Sequence, residues 1–180
     1  QELATIHQFT NTLFGLDHDN YIGKLQQKNN RMATWSEFYI TQRIEPQLKL
    51  GVDNGAFSTS LRSALQVLYK VVEEEIPVEK PALLHGDLWS GNYMYTKEGG
   101  SIYDPAVYFG HREMDIAMTK LFGGFSALFY DGYNSIYPLQ SGFDSRQQLC
   151  NLYPLLVHAN LFGGSYIDTC QRIITHYTQA

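Results

Sequence analysis

Apolar residues recur at helical spacing through most of this chain and alternate in only one short stretch near its middle. Leu3, Ile6, Phe9 or Thr10, and Leu13 predict an amphipathic helix over residues 1 to about 14, ended by Gly15. Residues 16–33 hold two Asp, three Asn and Gly23 without a sustained period, which reads as a long loop. Thr34 and Glu37 fit a capping box opening a helix with Trp35, Phe38, Tyr39 and Ile44, and Pro46 is expected to kink or restart it. The stripe Leu61, Ala64, Leu65, Leu68, Val71 and Val72 predicts a helix over about 57–74, closing on a solvated run at Glu73, Glu74 and Glu75.

Ala82, Leu83 and Leu84 lead into His85-Gly86-Asp87. Residues 92–96 then alternate, a turn is expected at 97–100, and a second short apolar segment ends at Asp104-Pro105, the pattern of a hairpin. Residues 105–111 read as a loop, followed by helices over 112–122 and about 126–136. A long helix capped by Asp144 or Ser145 is expected to run through Ala159 with a kink at Pro154, and a last one spans 166–177. The fold class is therefore mainly α with one small β-hairpin, in a single domain over residues 1–180.

Composition narrows the partners. A hydrophobic share of 44% with 17% charged residues suits a packed core. The net charge of −5 supplies no basic surface for nucleic acid, and no apolar run is long enough for a membrane span. Cys150 and Cys170 read as two free thiols in a reducing compartment, which implies a cytoplasmic protein. The chain opens on Gln1, already in helical pattern, and contains neither a glycine-rich phosphate loop nor a strand lysine in a V-A-I-K setting. It is expected to be the second half of a larger protein, its N-terminal ATP-binding lobe lying outside this sequence.

Phosphoryl transfer needs a group to accept the nucleophile's proton, oxygen ligands for Mg²⁺, and a grip on the nucleotide. Asp87 on a loop can be the base, while Asn92 and Asp104 offer one amide and one carboxylate oxygen. The hairpin carries these ligands at opposite strand ends, on one rim. Alone, His-Gly-Asp is a weak signal and Asp-Pro an ordinary turn; joined in this order they point to kinase chemistry. His85 is read as orienting the loop by hydrogen bonding.

The stretch HGDLWSGN (85–92) resembles the catalytic loop of the fructosamine/ketosamine-3-kinase family, within the aminoglycoside-phosphotransferase-like group. FGLDHDNYIG (14–23), Gln27-x-Asn29, Trp35-x-x-Phe38-Tyr39, GHREMDIAMTKLFGGF (110–125) and NLYPLLVHANLFGGSY (151–166) extend the resemblance over nearly the whole chain. It implies the C-terminal lobe of a protein-kinase-like fold, with Asp87 as catalytic base, Asn92 and Asp104 as Mg²⁺ ligands, and Trp89 stacking on a sugar-like substrate. It implies ATP and Mg²⁺ as cofactors and phosphorylation of the 3-hydroxyl of a ketosamine, free or protein-bound, as a repair of glycation. The 17–24 loop is expected to border the substrate site. Arg112, Glu113 and Asp115 are expected to tie the metal loop to the next helix, and His158 and Asn160 to be structural. Two rival readings keep the same residues: a choline- or aminoglycoside-type small-molecule kinase, and a kinase-like binding protein without turnover. The sequence assigns no oligomeric state.

Overall fold

In a computed structural model that describes residues 1–97 and 99–179, two helices are buried on nearly every side and the rest assembles around them. They are α5 (Glu113–Leu121) and α8 (Leu152–Phe162). Mostly apolar and buried through Val157, α8 packs against α3 (Glu45–Asp53) and α9 (Ser165–Thr178). Around them stand α1 (Glu2–Ile6), α2 (Trp35–Phe38), α4 (Arg62–Glu75), α6 (Ala127–Asn134) and α7 (Phe143–Cys150). Among the described residues, six short strands form three two-stranded antiparallel sheets: β1 (Asn20–Ile22) with β2 (Leu25–Gln27), β3 (Ala82–Leu84) with β6 (Tyr108–Gly110), and β4 (Tyr93–Thr96) with β5 (Gly99–Ile102). This is the mainly helical architecture expected, with more strand than the single hairpin read from sequence. Among the described residues, no helix is long and apolar enough to cross a membrane.

The departures from expectation share one cause, backbone pairing that apolar spacing does not encode. The first helix stops at Ile6, because residues 9–11 pair with the start of β3: Thr10 bridges Ala82, and Leu83 N–H donates to Phe9 O at 2.9 Å. Residues 16–33 are not all loop; β1 and β2 turn at Gly23, whose φ of 55° suits a two-residue connection. The expected loop at 105–111 contains β6, paired Leu84 to Tyr108 and Ala82 to Gly110. The expected long helix is two, broken at Asn151 and not at Pro154. Pro154 falls in the first turn of α8, where its missing N–H costs nothing. Gly142, not Asp144 or Ser145, occupies the N-cap of α7. Helix α4 begins at Arg62 after a 3₁₀ turn, and Phe57 is a core residue outside it.

Other expectations hold. Thr34 Oγ1 accepts from Glu37 N–H at 3.2 Å, Pro46 lies in the first turn of α3 after a π-helical segment (Tyr39–Ile44), and both cysteines are free and buried. Glu73, Glu74 and Glu75 are exposed. Glu98 of the predicted 97–100 turn lies outside the described residues.

Buried ionic contacts lock the helices. Arg146 donates to both Glu113 oxygens at 2.7 and 2.6 Å, and Arg112 to both Glu79 oxygens at 2.8 and 2.9 Å. Asp115 is 1% exposed and accepts from His85 N–H at 2.8 Å and Gly86 N–H at 2.9 Å. His7 Nε2 lies 3.1 Å from the same carboxylate, and its Nδ1 lies 2.7 Å from Tyr133 Oη. A carboxylate accepts only, so Nε2–H donates to Asp115 and Nδ1 accepts the Tyr133 hydroxyl. Burial alone would raise the Asp115 carboxyl; the His7 hydrogen bond and Gly86 N–H help outweigh it and hold it below 3.8.

Glu113→Gln leaves Arg146 charged and buried, and should cost about 3–5 kcal/mol in urea unfolding. The double change Glu113→Leu/Arg146→Met should recover most of that; an equal loss in the double variant would mean the pair itself stabilises. For Asp115 the folded pKa is depressed, so its contribution is in place above 3.8 and is lost as pH falls through the folded value. Urea midpoints followed from pH 6 to 3 should therefore fall more steeply for the wild type than for Asp115→Asn. Parallel curves would contradict this role.

Candidate active site

Strand β3 carries the chain out of the core and stops at Leu84, where the next two backbone N–H groups turn inward to Asp115. The loop that follows is shaped by close approach. Gly86 has φ 81°, and a Cβ there would sit 2.1 Å from Ala106 O, so only glycine lets the 104–107 segment lie against it. Ala106 N–H donates to His85 O at 2.8 Å, fixing that approach. His85 is buried; its Nδ1 accepts from Asp87 N–H at 3.2 Å, which leaves Nε2–H to donate to Tyr103 O at 3.0 Å. One imidazole thus holds the aspartate loop to the strand end before Asp104, the orienting role expected of it.

Asp87 lies half-buried at the end of this loop. A 3₁₀ turn (Ser90–Asn92) brings Asn92 back to it, and Asn92 Nδ2 donates to Asp87 O at 2.9 Å and to Asp87 Oδ2 at 3.1 Å. The amide nitrogen is thereby committed, and Oδ1 is left as its acceptor end. Tyr103 N–H donates to Asn92 O at 3.1 Å, so the residues flanking the hairpin meet on one rim, with Asp104 next in line. Burial pushes the Asp87 carboxyl above its ordinary 3.8 and the Asp104 charge adds to this, while His85, the Asn92 amide and His158 oppose it. The structure therefore brings Asp87, Asn92 and Asp104 together.

Asp104 is the one non-glycine at positive φ among the described residues, at 55°. Such a conformation costs about 1–3 kcal/mol, and a residue preceding proline is restricted further. Surrounding bonds must hold it. Among the described residues, no three or more His, Cys, Asp and Glu side chains gather as a metal site. One amide and one carboxylate oxygen nevertheless suit Mg²⁺, which keeps waters and phosphate oxygens as its remaining ligands. Unlike a softer metal, it requires no nitrogen or sulfur donor here.

Trp89 is 38% exposed beside these groups. Its indole rests over Gly91, where an added Cβ would come within 2.2 Å of the ring, and meets Phe122 edge-on at 5.8 Å. Phe122 in turn packs on His158 at 5.1 Å. His158 Nδ1–H donates to Pro154 O within its own helix, and Asn160 donates to Gln47, the structural placements expected. A Cβ added at Gly23 would lie 3.4 Å from Leu161, so the β1–β2 turn runs beside the helix that carries His158. A cavity of about 780 Å³ lies elsewhere, lined by Thr10, Trp35, Ile76 and Val78 among others, and Asp87, Asn92 and Asp104 do not line it.

Asp115 ties the loop to α5, as expected, but local pattern does not show that it receives two loop N–H groups. Nor does it single out Asn20 and Gln27, whose amides reach Val107 O and Ala106 O. The polar Gln27-x-Asn29 pair was the available signal, but nothing local told that it faces inward.

A fructosamine kinase family model matches residues 1–180. A Vibrio parahaemolyticus protein named a probable ketoamine kinase is 43% identical over 97% of this chain and 60% of its own length. One from Enterococcus faecium, named likewise, is 40% identical over 97% of this chain and 64% of its own. A crystal structure of a Thermobifida fusca protein, provisionally named a fructosamine-3-kinase, superposes with TM-score 0.91 at 38% identity. That match covers 99% of this chain and 63% of the other. The chain thus spans about three-fifths of the length of these relatives, whose family has a protein-kinase-like fold. By the match over its full length, the chain belongs to the fructosamine kinase family.

Proposed function

We propose that this chain is the C-terminal, acceptor- and metal-holding lobe of an ATP-dependent kinase that phosphorylates the 3-hydroxyl of ketosamines. The carrying observation is the joined geometry of Asp87, Asn92 and Asp104 on a loop clamped by Asp115. The names of the relatives, probable ketoamine kinases, support the substrate class. A lobe upstream of this one would supply the glycine-rich loop and lysine that grip the phosphates. ATP supply and the two free buried thiols support a cytoplasmic location, where such a kinase would act in repair of glycated amines and proteins.

In this reading the 3-hydroxyl oxygen attacks the γ-phosphorus, a new O–P bond forms, and the bond to the β-phosphate oxygen breaks to release ADP. Asp87, as the ionised carboxylate, takes the hydroxyl proton. Asn92 Oδ1 and the Asp104 carboxylate would hold Mg²⁺, which when bound offsets charge on the phosphates. Asn92 Nδ2 keeps Asp87 turned to the substrate side. Trp89 offers an exposed flat face to the sugar.

The test is ADP release by the full-length protein with ATP, Mg²⁺ and fructosyl- or ribulosyl-lysine. Release with choline or an aminoglycoside, and none with ketosamines, would replace the substrate class; no release with any acceptor would support a binding protein. Asp87→Asn should lower kcat by about 10²-fold or more, and a near-normal rate would remove Asp87 as base. Trp89→Ala should raise the ketosamine KM by about 10-fold, the order expected for a lost stacking face, with the ATP KM unchanged. An unchanged ketosamine KM would remove Trp89 from the substrate site.

A further inference from the structure

Asp104 combines a left-handed backbone with a following proline, so the bonds that hold it there are part of how its carboxylate is aimed. Upstream, Tyr103 is tied to Asn92 O and to His85. Downstream, the carbonyls of Ala106 and Val107 are held by side chains from a hairpin far earlier in the chain: Gln27 Nε2 donates to Ala106 O at 3.1 Å, and Asn20 Nδ2 to Val107 O at 2.7 Å (sequence separations of 79 and 87).

These amides have no freedom to turn. Gln27 Nε2 also donates to Asn20 Oδ1 at 2.8 Å, and Gln27 Oε1 accepts the Tyr153 hydroxyl at 2.8 Å. Asn20 Oδ1 further accepts from Asn29 Nδ2 at 2.8 Å. Asn29 Oδ1 accepts from Arg43 Nη2 at 2.7 Å, and its backbone N–H donates to Asp19. Arg43, fully buried, lies over the rings of Tyr108 at 4.1 Å and Phe38 at 4.5 Å. A rotated amide at Asn20 or Gln27 would set oxygen against carbonyl oxygen, so the network fixes one arrangement. The lattice runs from the core through Arg43 and Tyr153 to the two carbonyls beyond Asp104.

We infer that Asn20 and Gln27 are positioning residues for the Asp104 carboxylate, holding the left-handed Asp104-Pro105 turn in its cation-facing form. This rests on the kinase reading, in which Asp104 is a Mg²⁺ ligand. Partners outside the ligand shell commonly govern metal affinity by about 10–100-fold.

The experiment uses full-length Asn20→Asp and Gln27→Met. The first change keeps the acceptor for Gln27 and Asn29 but sets a carboxylate against Val107 O; the second keeps side-chain length without a donor. Three quantities are read: Mn²⁺ affinity with a non-hydrolysable ATP analogue by electron paramagnetic resonance, the separate KM values for Mg²⁺ and ketosamine, and amide exchange over residues 103–110. The expected result is about 10-fold or more weaker Mn²⁺ binding and a matching rise in Mg²⁺ KM. Ketosamine KM stays within about 3-fold, and exchange over 103–110 quickens. Folded variants with wild-type Mn²⁺ affinity overturn the inference, whatever their exchange. So does a uniform worsening of every parameter with melting temperature, which marks a merely structural role. If the wild type binds no Mn²⁺ with nucleotide and turns over no acceptor, the kinase reading fails and the inference falls with it, a result distinct from failure in the variants alone.

Discussion

Two backbone N–H groups at the end of β3 govern this architecture. His85 and Gly86 point theirs into a site where water cannot reach, and an unpaired buried N–H is seldom tolerated. Asp115 answers both with one carboxylate, and must be ionised to do so well. That requires donors of its own, which His7 supplies from the end of α1 while passing its other nitrogen to Tyr133 on α6. The loop bearing Asp87 is therefore set by a helix lying beneath it and by two more that flank that helix. The backbone of Asp87 is bonded to His85 and Trp89, while its carboxylate receives the Asn92 amide, so the loop is held through its main chain.

The strands are too short to be stable alone, since a two-stranded ribbon gains little without a surface to lie on. Beyond β4 and β5 they are stapled to one another: residues 9–11 extend the edge of β3, Gly15 pairs with Phe109 of β6, and the β1–β2 hairpin reaches Ala106 and Val107 through its amides. Arg43 has the same character. Among the described residues no carboxylate pairs with its buried charge, and ring faces and carbonyl oxygens take that place. Backbone polar groups and π-faces surround the Arg43 charge, and the Lys28–Asp19 ion pair at 2.8 Å joins the same hairpin.

What is legible in the sequence follows from range. Asp87, Asn92 and Asp104 lie within eighteen residues and a hairpin joins them, so local pattern suffices. The helical stripes of α4 and α9 are readable because burial on one face repeats along the chain. Residues 7–14 and 108–110 mislead because their strand character comes from partners distant in sequence, Thr10 with Ala82 and Tyr108 with Leu84, and apolar spacing is silent about pairing. The break at Asn151 is hidden for a different reason. Pro154 reads as a helix breaker, yet in a first turn it breaks nothing, while Asn151 turns its amide to Ala117 O and ends α7.

Two carboxylates, Asp87 and Asp104, are close enough for one to raise the other's pKa. Neither has a described ion pair with Lys or Arg; the groups that favour ionised Asp87 are the Asn92 amide and two imidazoles. On a purely structural account this is a poor arrangement, since burial and like charge both work against ionisation and the strained Asp104 backbone adds to the cost. A divalent cation on the Asn92 and Asp104 oxygens reverses the signs. It would remove the repulsion that Asp104 exerts on Asp87, lower the Asp87 pKa, and favour its ionised form when nucleotide and metal are in place. In the proposed kinase, the unfavourable terms of the metal-free site are those that loading with metal and nucleotide would relieve, so readiness to accept a proton would be coupled to the presence of the phosphate to be transferred.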